Sequence, residues 1–135
     1  MSEKEFLETV RLLYNAVWTG DLDAAPSVLH PDVVWTAIES APDAGTRRGY
    51  AECRAHMQDW LDHFEFEPFT VQSMGVSTEG RLVCDQIAAA TGKGSGLRTE
   101  IHYWAAYDFS ADGRIREIHE YASTHEALEA AGLEG

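Results

Sequence analysis

The segment Gly113–Ser123, GRIREIHEYAS, restricts the fold more than any other stretch of the chain. Its residues alternate in character with the period of a strand, which points successive side chains to opposite faces. Arg116, Ile118, Glu120 and Ala122 share one face, and Ile115, Glu117, His119 and Tyr121 share the other. A turn signal, Ser110-Ala111-Asp112-Gly113, precedes it and joins it to a long strand over Leu97–Phe109. The pairing expected across that turn sets Ala105 opposite Ile118 and Tyr103 opposite Glu120. An acid placed between two inward apolar residues suggests a sheet that encloses a pocket, with Glu120 inside it.

The preceding chain supplies elements to wrap such a sheet. Ser2 and Glu5 form a capping box, and Phe6, Val10, Leu13, Tyr14 and Val17 recur at helical spacing up to about Thr19. A short helix is expected over Asp21–Leu29, then a strand over Asp32–Ile38 with Val33, Trp35 and Ala37 on one face. Pro42 and Gly45 mark Ser40–Arg48 as a loop. A helix follows over Gly49–Phe64, with Tyr50, Cys53, Met57, Trp60, Leu61 and Phe64 as its apolar stripe and Glu52, His56, Asp59 and His63 opposite. Strands are expected over Phe66–Ser77 and Arg81–Thr91, a hairpin loop at Gly92–Gly96, and a closing helix over Thr124–Ala131. Helices first and strands later predict one α+β domain over 1–135 with a mainly antiparallel sheet.

Composition excludes several function classes. The formal net charge is −13, with only Lys4 and Lys93 as lysines, so binding to nucleic acid or to an anionic membrane surface is not expected. No apolar run reaches a membrane span, and MSEKEF carries no apolar leader, so a cytoplasmic location is expected. Cys53 and Cys84 stand apart and read as buried thiols. His56, Asp59 and His63 share helical spacing, yet no HExxH-type motif is present, and no metal or cofactor is expected.

Three stretches, GDLDAAPSVLHPDVVW, APDAGTRRGYAE and SADGRIREIHEYASTHEALEAAGL, resemble the SnoaL-like branch of the nuclear transport factor 2 fold, which also holds ketosteroid isomerases, polyketide cyclases and epoxide hydrolases. The resemblance implies a cone, in which a curved sheet and its helices enclose a pocket while the outer sheet face makes a homodimer. Carried over by position, the isomerase's base falls near Ala37, with Glu39 the nearest carboxylate. Its oxyanion tyrosine falls at Leu13, with Tyr14 one step off and pointing elsewhere, and its oxyanion aspartate falls at Ala105. The cyclases' frequent aspartate falls at Ser123. Steroid isomerisation of that type is therefore not expected.

The candidate catalytic residues are Glu120, Tyr103 and Asp85. An acid among apolar walls suits proton transfer near neutral pH, and a tyrosine hydroxyl opposite it can donate to a substrate oxygen. Either Val83, Asp85, Ile87 and Ala89 face the pocket, adding a second carboxylate, or Cys84, Gln86, Ala88 and Ala90 do. Apolar residues fall on both sides, so periodicity leaves both open. Trp35, Met57, Trp60, Phe64, Ile118 and Tyr107 are the expected substrate-binding walls, around a small hydrophobic oxygen-bearing molecule. His102, Trp104, His119 and Tyr121 fall on the outer face, the expected interface between two copies.

Overall fold

The alternating segment is a strand, β7 (Ile115–Ala122), and it lies inside the sheet rather than at its edge. The computed structural model describes residues 3–38, 45–76 and 80–122. Before β7 come α1 (Glu3–Thr19), a 3-10 turn (Leu22–Ser27), β1 (Leu29–Ala37), β2 (Gly45–Arg48), α2 (Tyr50–His63), β3 (Phe64–Phe66), β4 (Thr70–Val76), β5 (Leu82–Gly92) and β6 (Arg98–Phe109). The strands form one curled mixed sheet in the order β2-β1-β7-β6-β5-β3, with β4 also paired to β5. With the helices it makes the cone-like α+β fold that the sequence implies. Every pairing is antiparallel except β1 with β7.

Local chemistry explains most boundaries. Glu3 and Glu5 sit in the first turn of α1, where the helix dipole favours acids. Gly20, at φ +77°, ends it, and its N–H bonds to the Val17 carbonyl at 3.1 Å. The expected loop at 45–48 is instead β2, an edge strand beside β1. The expected strand over 66–77 divides into β3 and β4 around Pro68, which has no N–H to give a ladder. The second main helix stops at His63, so Phe64 begins β3. β1 starts early, at Leu29, and carries Pro31 in the irregular stretch between Leu29 and Val34. The Ser2 cap, Glu39 and the expected helix over 124–131 lie outside the described residues.

The hairpin between β6 and β7 departs from expectation in register. Ser110 N–H bonds to the Arg114 carbonyl and Gly113 N–H to the Ser110 carbonyl, which closes a loop of Ala111, Asp112 and Gly113 with Gly113 at φ +85°. That is the loop type with a glycine bulge. A second irregularity follows, because Phe109 pairs with Ile115 but Asp108 pairs with Glu117, leaving Arg116 as an extra residue in β7. Together the two shifts set Ala105, not Tyr103, opposite Glu120, while Tyr103 faces Ala122 and Tyr107 faces Ile118. The shift is two residues, so side-chain parity survives beyond the bulge. Before it parity inverts: Ile115 is fully buried and Arg116 is exposed, the reverse of the simple alternation.

One core fills the concave side. α1 contributes Val10, Leu13, Tyr14 and Val17, and α2 contributes Cys53 and Met57, against Trp35, Tyr107 and Ile118 of the sheet. Burial pushes the Cys53 thiol up to about 11 and the Cys84 thiol up to about 12. On the convex side the like charges of Asp108 and Glu117 stand opposite each other, and Arg81 lies 3.3 Å from the first and 3.8 Å from the second. No helix among the described residues is long and apolar enough to cross a membrane. Since an alanine at Gly113 would keep a left-handed backbone at a steric cost, Gly113→Ala is expected to lower stability by about 1 kcal/mol. Urea unfolding followed by circular dichroism reads that loss directly.

Candidate functional site

Glu120 points into the concave side and is 9% exposed. Its neighbours on that face are Ile118 and Ala122, so the backbone fixes its direction and not a flexible loop. A side-chain donor and a backbone donor meet its oxygens. The Trp35 indole Nε1–H donates to Oε2 at 3.1 Å, and the Ile38 backbone N–H donates to Oε1 at 3.3 Å. Trp35 lies near the end of β1 and Ile38 just follows it, and they reach Glu120 because β1 runs parallel to β7 with Trp35 beside Ile118. Hydrogen bonds of this kind offset the cost of holding a carboxylate away from water.

Glu120 closes the inner end of a cavity of about 750 Å³, within the usual range for small-ligand sites. Trp60, Phe64, Phe66 and Phe69 form its aromatic wall, and Ala88, Ala90 and Ile101 lie across from them. The small alanines leave the space that larger residues would fill. The wall is braced from behind. Trp35 meets Trp60 edge-on at 5.5 Å, Phe66 stacks on Phe69 at 5.7 Å, and Phe69 stacks on Tyr14 at 4.3 Å. Ile38, Arg47, Asp59, His63 and Thr99 also line it, with the His63 ring nitrogen 2.8 Å from the Asp59 carbonyl.

Tyr103 lines the same cavity and is the end of a buried polar chain. The Tyr14 and Tyr107 hydroxyls are 2.8 Å apart, Tyr107 O–H donates to Gln86 Oε1, and Gln86 Nε2 donates to the Tyr103 hydroxyl at 2.9 Å. Burial pushes all three phenols well above their ordinary value of 10.0, and the Glu120 charge pushes Tyr14 and Tyr103 further the same way. They are therefore neutral hydrogen-bonding groups at any physiological pH.

The structure brings Glu120, Tyr103, Trp60 and Phe64 together around the cavity. It separates the rest. Asp85 is not inside: it faces the convex side, opposite Trp104, and pairs with His102. Gln86 takes the inward place, fully buried, so the face of Cys84, Gln86, Ala88 and Ala90 is the concave one. Trp35, Met57, Ile118 and Tyr107 are fully buried beneath the cavity and belong to its foundation rather than its lining. Tyr14 does not point elsewhere but joins the interior chain. His56 leaves the expected polar stripe of α2, being 5% exposed and packed 4.4 Å from Trp60. Among the described residues no three His, Cys, Asp or Glu side chains are placed to hold a metal. Gln86 and Tyr14 were missed as site residues. Tyr14 carried a signal in its place on the apolar stripe of the first helix, and Gln86 stood in one of the two faces that the alternation of its strand left open.

Because the folded state raises the three phenols, it binds protons there that the unfolded chain releases. Their contribution to stability is whole below pH 10.0 and is lost as pH climbs above it toward the folded values. Of the five tyrosines, Tyr14, Tyr103 and Tyr107 are expected to ionise only as the protein unfolds in alkali. Tyrosinate absorbance and circular dichroism, followed together in one alkaline titration, check this.

The comparisons agree with this architecture. The model of the SnoaL-like domain matches residues 10–118. No curated protein sequence matches the chain. Among solved structures, the Delta 5-3-ketosteroid isomerase from Mycobacterium sp. superposes with a TM-score of 0.74 at 16% identity, over 91% of this chain and 95% of that one. A LEH-like epoxide hydrolase of M. tuberculosis gives 0.70 at 18% identity, over 93% and 84%. An ntf2-like protein of Burkholderia pseudomallei gives 0.71 at 25% identity, over 96% and 97%. With its sheet, helices and cavity arranged in this way and most of its length matched, the chain belongs to the SnoaL-like domain family.

Proposed function

We propose that the protein is an acid/base enzyme acting on a small, hydrophobic, oxygen-bearing molecule held in the aromatic cavity. The observation that carries this reading is Glu120, a carboxylate that accepts hydrogen bonds from Trp35 and Ile38 and lines a largely apolar cavity. Glu120 takes a proton from the substrate or returns one, and Tyr103 donates to the substrate oxygen where negative charge develops. The chain supplies both groups itself, so the reaction calls for no cofactor. Similar structures bear the names of an isomerase and an epoxide hydrolase, which supports chemistry at a carbon–oxygen group. Isomerisation, cyclisation, dehydration and hydrolysis all fit it.

A binding module for a hydrophobic ligand is the competing reading. It is favoured by Ala37 and Ala105, which stand where the resemblance in sequence puts the isomerase's base and its oxyanion aspartate. One series of measurements separates the two. Ligands that raise the melting temperature are first found from a panel of aryl ketones, epoxides and hydroxy-ketones, then assayed for turnover. Glu120→Gln is expected to keep binding and lose about 10²–10⁴-fold in kcat, and Tyr103→Phe about 10²-fold. Unchanged turnover in Glu120→Gln, or binding with no turnover in the native protein, rejects the enzyme reading.

A further inference from the structure

We propose that Gln86 is a positioning residue that makes Tyr103 offer a proton, not a lone pair, to the cavity, so that the site selects a ligand with a hydrogen-bond-accepting oxygen. The inference rests on the cavity being a ligand site, as proposed above. It follows from counting protons along the buried chain. Tyr107 has one hydroxyl proton and gives it to Gln86 Oε1. Tyr14, in contact with Tyr107 at 2.8 Å, must then donate to it. Gln86 spends an amide proton on the Tyr103 oxygen at 2.9 Å. Each member accepts from one side and donates to the other, and the direction runs from α1 to the cavity wall. The Tyr103 proton is not consumed by Gln86: within the chain its acceptor is the Tyr14 oxygen, which also meets Tyr103, and a ligand oxygen in the cavity competes with Tyr14 for it.

An amide is the side chain that can impose this order. It carries an acceptor and a donor on one rigid plane, whereas a carboxylate only accepts. Gln86 is fully buried on a strand paired on both sides, so the plane cannot turn out to water. Aligned bonds of this kind polarise one another, which strengthens the last donor. The titratable groups coupled to the chain are Tyr14 from α1, Cys84 from β5, Tyr103 and Tyr107 from β6 and Glu120 from β7.

The test reverses the last bond with an isosteric change, Gln86→Glu. While the introduced carboxyl is protonated, its O–H replaces the amide donor and Tyr103 still faces the cavity as a donor. Once ionised it accepts from Tyr107 and Tyr103 alike, and Tyr103 shows the cavity only lone pairs. The probes are acetylnaphthalene, whose ketone can only accept, and naphthylethanol, whose hydroxyl can do either. Binding is read by tryptophan fluorescence from pH 5 to 9, as the ratio of ketone to alcohol affinity. The native protein is expected to hold a constant ratio. The variant is expected to match it at low pH and lose roughly tenfold in the ratio as the carboxyl ionises, the effect of one hydrogen bond. The loss is expected to vanish when Tyr103→Phe is added. Parallel weakening of both probes at every pH overturns the inference and leaves the cavity reading standing. Failure of the native protein to bind either probe overturns both. If Gln86→Glu does not fold, Tyr107→Phe frees the amide to turn, and an unchanged ratio in that variant also overturns the proposal.

Discussion

One extra residue in β7, Arg116, decides what the inner end of the cone contains. Without that bulge a simple alternation through Ile115 would put Ile118 and Glu120 on the convex side. With it, Ile115 and Ile118 both reach the core, Arg116 turns to solvent and Glu120 faces inward. A register change in a strand moves every later side chain to the other face, so the position of the carboxylate is held by backbone geometry. The Arg81 bridge to Asp108 and Glu117 lies on the convex side of the same irregularity, relieving the repulsion it creates there.

Holding a carboxylate in this place has a cost in lost hydration, which the Trp35 indole and the Ile38 backbone N–H help to offset. Trp35 is suited to that task because its ring is wholly buried among apolar groups while its N–H reaches Glu120. One residue thus braces the aromatic wall, through Trp60, and orients the acid. Tyr103 approaches the cavity from the neighbouring strand, β6, at the end of its own chain of hydrogen bonds. Two polar supports, one from β1 and one reaching back to α1, meet in a cavity whose remaining walls are largely apolar.

Much of this was legible in the residues. The alternation around Ile118 and Ala122 placed Glu120, and the stripe of α1 placed Val10, Leu13 and Val17. The two-residue difference in pairing at Tyr103 has two sources: Gly113 belongs to the loop as well as Ala111 and Asp112, and Arg116 is an extra residue in β7. Asp85 and Gln86 could not be separated because β5 is buried on both sides, with Val83 and Ala89 outside and Cys84 and Gln86 inside, and such a strand has no period. Trp35, Met57, Ile118 and Tyr107 share their faces with true wall residues. Periodicity reports the face of an element, while the depth of a residue below a cavity depends on the curl of the sheet. β2 was hidden for a similar reason, since a short exposed edge strand of Gly-Thr-Arg-Arg carries no apolar signal.

The parallel pairing of β1 with β7 also governs when the site can exist. Trp35 and Glu120 are separated by 85 positions in a chain of 135 residues, and the bond between them closes well over half of it into one loop. Contacts of such separation reward the chain only after the entropy of closure has been met. During synthesis, α1, α2 and the strands from β4 to β6 emerge first, and the carboxylate cannot reach the Trp35 indole until β7 has left the ribosome. Since β7 also joins β1 to β6 in the sheet, the strand that brings the acid is the one that fastens the Trp35 side of the cone to the rest.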